Sequence, residues 1–305
     1  VSSAASDVYK RQNMTFTIQP LGQNFAAEIV DIDLGNKLPD AVINKLKESF
    51  WKYAVLVFPD QKLSLDQHVE FATLFGPIEM NINTYQDEVK KHRFDYRVSD
   101  ISNLDDEDNI LAESSRKRMS GLANRLWHTD SIFRHTPALA SALYALTIVP
   151  IGGRTEFADT RAAWDSLPED VQRKLDKLVV EHSIFHSRSK IGFTNFTEKE
   201  RAALPPAQQV LVRRIPENHR QALYIASHAM RIVGMSDTEG TALLEELMTH
   251  ATQPQFVYSH RWRVGDLVIW DNRCTVHRGT DYDERRYKRD MRRATVSDVG
   301  NTVEL

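Results

Sequence analysis

His128-Thr129-Asp130 stands in the segment LWHTDSIF. On an extended backbone, residues two apart share a face, so a neutral imidazole and a carboxylate could close on one ion there. The triplet alone carries little weight. With 11 histidines and 42 acids in 305 residues, about one or two His-x-acid triplets arise by chance. A second one, His68-Val69-Glu70, falls in a segment with helical signals, where a two-residue step turns roughly 200° about the axis. Its side chains diverge, so it is read as helix surface and not as a chelate. The third ligand must come from elsewhere. His277, in LVIWDNRCTVHRG, is the best candidate because it follows an apolar strand pattern. A histidine taken alone is more often a hydrogen-bonded core or surface residue. Two histidines with one carboxylate suit a divalent metal with open positions. That describes ferrous iron taking a cosubstrate and O2, and it also describes a catalytic zinc carrying a water.

A basic cluster follows in KRDMRRATVS. Arg289 and Arg293 lie four apart and face the same way on a strand, while Arg292 between them should face out. An inward guanidinium is costly unless an anion pairs with it, and its planar fork suits a carboxylate. Two inward arginines ask for two anions or for one doubly anionic ligand. The alternative is a solvated basic face, since Arg285, Arg286 and Lys288 crowd the same stretch. His228, in YIASHAM, could reach a pocket as donor to an acid or serve as a satisfied core histidine. Trp127 and Phe133 flank the metal triplet and could meet an aromatic ring or simply pack. Asp271 and Asn272 could orient metal ligands or shape a strand end. Trp262 and Trp270 read as core, and Cys274 reads as a small buried filler with no paired base.

The elements that must position these groups are mostly strands. TFTIQPLGQNFAAEIVDIDL opens in a β-type alternation. Asp40 can cap a helix whose Val42, Leu46 and Phe50 recur every fourth residue. Val55 to Phe58 read as a short buried strand stopped by Pro59. Ser64 and Gln67 form a capping box before a helix ending near Gly76. Residues 78–123 are polar, charge-rich and weakly periodic, as expected of a long loop or lid. Strands return at Ala138. Two helices interrupt them, one from the Ser166–Glu169 box over Val171, Leu175 and Leu178, the other from the Ser236–Glu239 box over Leu243, Leu244 and Leu247. LVRRI, ALYIAS, FVYSHRW, DLVIWDN and RRATVS read as further strands, with Gly265-Asp266 as a turn. Many short strands with a few helices outside them predict a mainly β fold, a sandwich or jelly roll.

Composition narrows the classes further. The length of 305 residues allows one large domain or two modest ones, and a net charge of −3 argues against a general nucleic-acid binder. One cysteine excludes a disulfide framework and Cys-rich zinc or iron–sulfur sites, and it fits a reducing cytoplasm. No apolar run approaches the roughly 20 residues of a membrane helix. Residues 1–13, VSSAASDVYKRQN, lack a signal-peptide core and are expected to be a non-native or disordered leader, with 14–305 forming a single domain.

LWHTDSIF, VPIGGRTEFADTRAAWDSL, FVYSHRWRVGDLVIWDNRCTVHRG and RRATV together resemble the Fe(II)/2-oxoglutarate-dependent dioxygenases of the taurine dioxygenase and 2,4-dichlorophenoxyacetate dioxygenase family. The likeness runs from about Phe16 to Ser297 and is nearer the 2,4-dichlorophenoxyacetate branch. The loop between Glu79 and Phe94 departs from that branch. The resemblance implies a double-stranded β-helix with His128, Asp130 and His277 on iron. It implies 2-oxoglutarate chelating the metal, with its far carboxylate on Arg289 and the Thr155 hydroxyl of GGRT. Arg293 would then grip the anionic group of a small organic substrate. The implied reaction is hydroxylation of an aryloxyalkanoate, with ether cleavage to a phenol and glyoxylate and with succinate and CO2 as coproducts. A taurine, alkylsulfonate or other carboxylate substrate is the alternative within the family. A zinc hydrolase and a non-catalytic β-barrel binder are the alternatives outside it. Enzymes of this kind are often homo-oligomers, and the chain shows no readable interface.

Overall fold

The structure is a computed structural model that describes residues 16–80 and 93–305. The expected leader at 1–13, and nearly all of the loop between Glu79 and Phe94, lie outside the described residues. The chain opens with a hairpin of β1 (Thr17–Pro20) and β2 (Ala27–Val30). Helix α1 (Asp40–Tyr53) buries Val42, Leu46 and Phe50, the stripe that the periodicity predicts. Its N-cap is Pro39, and Asp40 is the first helical residue. Asp40 therefore complements the helix dipole and caps nothing. β3 (Val55–Phe58) is buried at all four positions, as a central strand must be. The Ser64–Gln67 capping box forms and opens α2 (Leu65–Thr73).

The described part of 78–123 is not all loop. It holds β4 (Ser99–Asp100), α3 (Arg116–Gly121) and a 3-10 turn at Leu122–Arg125. Beyond it come β5 (Ala138–Thr147), β6 (Thr155–Asp159), α4 (Thr160–Asp165), α5 (Glu169–Leu175), β7 (Val179–His182) and α6 (Ile184–Ser189). These are followed by α7 (Glu198–Ala203), β8 (Ala207–Val210), β9 (Val212–Arg214), β10 (Gln221–Leu223), β11 (Ala229–Ile232) and α8 (Asp237–Ala251). The chain closes with β12 (Val257–His260), β13 (Leu267–Asp271), β14 (Thr275–Gly279) and β15 (Asp290–Ser297). Ser236 caps α8 through the Glu239 amide as expected. The Ser166 box does not form, because Pro168 occupies the N-cap of α5 and the Ser166 hydroxyl donates to Ala163 O instead.

The fold is a double-stranded β-helix with helices outside it. A seven-stranded sheet runs β1-β2-β3-β13-β5-β15-β4, and a three-stranded sheet β12-β6-β14 lies against it. The two-residue period of the strands splits the large sheet cleanly. Leu56, Phe58, Leu267, Ile269, Ala142 and Ala294 face α1 and α2. Val55, Val57, Val268, Trp270, Leu143 and Met291 face inward, against Phe157 of the small sheet. A one-residue slip would exchange these faces, so burial on both sides fixes the register.

That two-sided burial overturns two sequence expectations. Arg292 faces away from the roll interior, yet it is buried under α2. Its Nη2 donates to Leu63 O at 2.8 Å, its Nε donates to His68 Nδ1 at 3.3 Å, and it lies over the Tyr144 ring. His68 is likewise no surface residue. It is fully buried, and its Nε2 meets Ala142 O at 2.9 Å. The outer face of a sheet is solvent only where no helix covers it, and the local alternation cannot report that.

Burial, reinforced by Arg292, pushes the His68 imidazole down to about 3. His182 is pushed to about the same value by burial and His186, and neither of its ring nitrogens has a partner. Both folded values lie below the unfolded value of 6.5, so the unfolded chain binds protons that the folded one excludes. Stability is therefore lost as pH falls below about 6.5, by roughly 1.4 kcal/mol per pH unit per histidine until the folded value is reached. In chelator-treated protein the urea midpoint is expected to drop between pH 7.5 and 5.5, and His182→Leu should make that drop smaller. An equal drop in the variant would show that His182 does not contribute.

Candidate metal centre and adjoining cavities

His128 and His277 face each other across an isolated antiparallel bridge. The His128 amide donates to His277 O at 3.0 Å, and the His277 amide donates to His128 O at 2.7 Å. Directly opposed residues present their side chains on one face, and the two rings lie 4.2 Å apart between centroids. His277 belongs to β14, but His128 makes only this single bridge. The chain then turns at Asp130, and Ser131 sits at φ 54°. The extended backbone expected for the triplet is thus one bridge deep, which still suffices to place Asp130 beside the histidines. The ligand atoms of His128, Asp130 and His277 lie within 4.8 Å of one another, and His277 Nε2 is 3.6 Å from Asp130 Oδ2. Neighbouring ligands at bond lengths near 2.1 Å sit about 3 Å apart, so only a small closure is needed.

The protonation states suit a metal. The His128 Nδ1 donates to Leu126 O at 2.7 Å, leaving Nε2 with its lone pair. Burial lowers His128, and burial with His128 as neighbour lowers His277 well below the ordinary range, so both rings are neutral. Phe157 and Trp270 pack on the His277 ring and keep it dry. Burial alone would raise Asp130. Arg293, then the two histidines and Ser141, outweigh it and hold the carboxyl at about 2. Two neutral imidazoles and one carboxylate are the donor set for a divalent transition metal.

Asn272 organises the cluster, as the sequence suggested it could. Its Oδ1 accepts from Thr129 Oγ1, the Asp130 amide and Trp270 Nε1. Its Nδ2 donates to Ser141 Oγ at 3.0 Å, and Ser141 Oγ donates to Asp130 Oδ2 at 2.7 Å. Ser141 gave one faint signal, a single serine in the Ala- and Leu-rich run ALASALYAL. Asp271 turns away and pairs with Arg273 at 2.8 Å. Cys274 is a buried filler, as expected.

Two cavities flank the cluster. The first, about 170 Å³, is lined by His128 and His277 together with Thr155, Arg289 and Arg293. Arg289 precedes β15, which starts at Asp290, and still reaches the same cavity as Arg293. Among the described residues the Arg289 side chain has no carboxylate partner, and burial lowers its pKa. Asn103 holds its backbone, accepting from the Arg289 amide at 2.8 Å. Thr155 Oγ1 accepts from Trp262 Nε1 at 3.0 Å, which leaves the threonine proton for a further acceptor. Trp262 is core, as expected, but it also sets this hydroxyl. Gly152 of the GGRT segment sits at φ +77°, where a Cβ would meet Asp281 O at 2.3 Å, so only glycine fits the turn that presents Thr155.

The second cavity, about 100 Å³, lies on the other side of His128 and Asp130. His228 lines it with an unpartnered Nδ1, and its ring meets Phe133 at 4.9 Å. Arg293 Nη1 donates to Asp130 Oδ1 at 2.5 Å, and its Nε has no partner. Arg188 lines the same cavity, and the sequence reading did not flag it. Trp127 lies under the Arg278 guanidinium, outside both cavity walls.

A β-helix that gathers two imidazoles and a carboxylate, with a guanidinium that has no carboxylate partner among the described residues in the adjoining cavity, is the framework of a non-haem metal dioxygenase. The chain belongs to the family described as taurine catabolism dioxygenase TauD, TfdA family, whose profile matches residues 17–295. It is 42% identical to the alpha-ketoglutarate-dependent 2,4-dichlorophenoxyacetate dioxygenase of Cupriavidus pinatubonensis, over 93% of this chain and 99% of that one. It is 34% identical to the (S)-phenoxypropionate/alpha-ketoglutarate-dioxygenase of Sphingobium herbicidovorans, over 88% of this chain and 90% of that one. Among solved structures, AAD-2 in complex with Mn(II) and N-oxalylglycine superposes with a TM-score of 0.90 at 42% identity, covering 95% of this chain and 100% of that one. The protein is a 2-oxoglutarate-dependent non-haem iron dioxygenase, with Fe(II), 2-oxoglutarate and O2 as metal, cosubstrate and oxidant. The zinc-hydrolase and binding-protein alternatives are not supported. Among the described residues no helix is long and apolar enough to cross a membrane.

The Asn272–Ser141–Asp130 chain makes a prediction of its own. Loss of an outer hydrogen bond to a metal ligand costs about 10- to 100-fold in affinity. Ser141→Ala should weaken Mn(II) or Fe(II) binding by that order in an anaerobic titration, with the thermal midpoint of the metal-free protein little changed. Metal affinity equal to wild type would mean that Asp130 needs no such support.

Proposed function

We propose that this dioxygenase hydroxylates a small aryloxyalkanoate of the 2,4-dichlorophenoxyacetate type, with His128, Asp130 and His277 as the metal ligands. The observation that carries the reading is the sorting of charge around the cluster. The first cavity includes the Arg289 guanidinium, which pairs with no carboxylate among the described residues, and the second brings Arg188 and Arg293 together with the apolar Phe133 and Ile184. The relatives named for phenoxyalkanoates support the substrate class. Iron held there supplies oxidative decarboxylation of 2-oxoglutarate to succinate and CO2, coupled to insertion of the second oxygen atom of O2 into a substrate C–H bond.

The protein's own contribution is placement. Arg289 and the Thr155 hydroxyl would take the far carboxylate of 2-oxoglutarate, a dianion that answers the unpaired charge. Burial makes that pairing stronger than it would be in water. Arg293 would reach the substrate's acid from its place beside Asp130, and His228 would offer a further polar contact. Phe133 would meet the aryl ring. Holding the acid fixes the adjacent carbon, which is the one bearing the ether oxygen, and near-attack placement governs a step of this kind. Hydroxylation at that carbon gives a hemiacetal, which collapses to a phenol and glyoxylate. Within the stretch 78–123, the described residues 93–123 supply Lys117, Arg118 and Leu122 to the first cavity and would act as a lid within a single domain. A reducing cytoplasm suits the one buried cysteine and this chemistry, and no partner beyond small molecules is needed.

Succinate formation is the direct assay. Phenoxyacetates are expected to drive it, only in the presence of 2-oxoglutarate and ferrous iron. Arg289→Gln should raise KM for 2-oxoglutarate about 100-fold while moving KM for the acid by less than about threefold. Turnover of taurine with none of phenoxyacetate would overturn the substrate assignment. An unchanged KM for 2-oxoglutarate in the variant would overturn the role of Arg289.

A further inference from the structure

Helix α6 carries Ile184 and Arg188 one turn apart, and residues so spaced share a face. Both line the second cavity beside His128, Asp130, Phe133, His228 and Arg293. Among the described residues the Arg188 guanidinium makes two hydrogen bonds, both to hydroxyls. Its Nε donates to Ser120 Oγ at 3.4 Å, and its Nη1 donates to Ser187 Oγ at 3.2 Å. Among the described residues no carboxylate pairs with it. The acids of this cavity pair with other groups: Asp130 with Ser141 and Arg293, and Glu79 through its Oε1 with Ser131 at 2.8 Å and Arg134 at 3.6 Å. Arg293, the other guanidinium in the cavity, has an arm committed to Asp130.

A buried cation facing another cation is unfavourable until an anion joins them. Burial and Arg293 together lower the Arg188 pKa to about 10, the sign of that missing partner. The cavity that Arg188 lines also holds Ile184 and Phe133, which are apolar, and Arg293, whose charge acts on Arg188. The vacant charge therefore belongs to a ligand that is part apolar ring and part anion.

We propose that Arg188 is the principal anchor of the substrate's carboxylate, bridged by it to Arg293, and that its planar fork selects a carboxylic acid over neutral analogues. This rests on the reading of the site as that of an acid-hydroxylating dioxygenase. The work is thereby divided between two arginines. Arg293 couples the anion to the Asp130 side of the metal cluster, and Arg188 supplies the charge that the acid neutralises. Arg188 also ties α6 to Ser120 of α3, so an arriving acid would meet the residue that holds this part of the cavity wall.

The test is steady-state kinetics of the iron-loaded enzyme with phenoxyacetate and its neutral analogue 2-phenoxyethanol, following succinate. Arg188→Gln is expected to raise KM for phenoxyacetate about 10- to 100-fold, leave KM for 2-oxoglutarate within about twofold, and narrow the preference over 2-phenoxyethanol. Arg188→Lys keeps the charge without the fork and should fall between Gln and wild type. It also serves if the Gln variant does not fold. Ser120→Ala should behave as wild type. An unchanged KM for phenoxyacetate in both Arg188 variants, or a Ser120→Ala enzyme that reproduces Arg188→Gln, would overturn the assignment by reducing Arg188 to a wall tie. If wild type instead turns over an alkylsulfonate and no phenoxyacetate, the substrate reading fails by itself. The same variants read on that sulfonate then decide the anchor, a raised KM sustaining it and an unchanged one removing it.

Discussion

The site depends on one pair of backbone hydrogen bonds. His128 and His277 are far apart in sequence, and the reciprocal amide–carbonyl bonds between them, at 3.0 and 2.7 Å, fix which residue stands opposite which. In a sheet a single-residue slip reverses every side chain. Had His128 bridged the residue before or after His277, one imidazole would point out of the roll. The bridge is isolated, with no ladder on either side to enforce it. Its register is kept by the groups around it: Asn272 holding Thr129 and the Asp130 amide, and Ser227 donating its amide to Trp127 O. The metal cluster is thus set by polar bonds inside a dry wall, where each bond is strong and its loss costly.

The rest of the site is an arrangement of cations. Six arginines near the roll meet three different fates. Arg161 and Arg273 are buried on the acids Asp159 and Asp271, and Arg273 braces the turn that carries Asn272. Arg292 is buried on carbonyl, imidazole and aromatic ring under α2. Arg289 and Arg188 line cavities and pair with no carboxylate among the described residues, and Arg293, which lines both cavities, stands on Asp130. An unpaired buried charge is expensive, and the proposed reading answers each of these two with an anion, the dianionic cosubstrate in one cavity and the acid to be oxidised in the other.

Much of this was legible in the residues. The His-x-Asp spacing, the apolar strand before His277 and the four-residue step from Arg289 to Arg293 each carried a directional argument, and the family resemblance supplied the role of Thr155. What escaped shares a physical cause. Arg292 and His68 were assigned to solvent because a two-residue or helical period tells which side a residue takes but not what covers that side. Arg188 sits in a six-residue helix too short to show a period, and its significance lies in partners that are absent, which no local pattern encodes. Ser141 looked like part of an alanine-rich strand until its hydroxyl was found between Asn272 and Asp130. The capping box at Ser64 forms, Ser236 caps its helix through the Glu239 amide without the reciprocal bond, and the box at Ser166 does not form, because Pro168 sits at the helix N-cap.

A crystal structure with Mn(II) and N-oxalylglycine bound, grown without O2, measures the central claim most directly. The account requires one ion roughly 2.0–2.3 Å from His128 Nε2, Asp130 and His277 Nε2, with the far carboxylate of the analogue on Arg289. An ion that leaves out His277, or an analogue whose carboxylate turns away from Arg289, would contradict it.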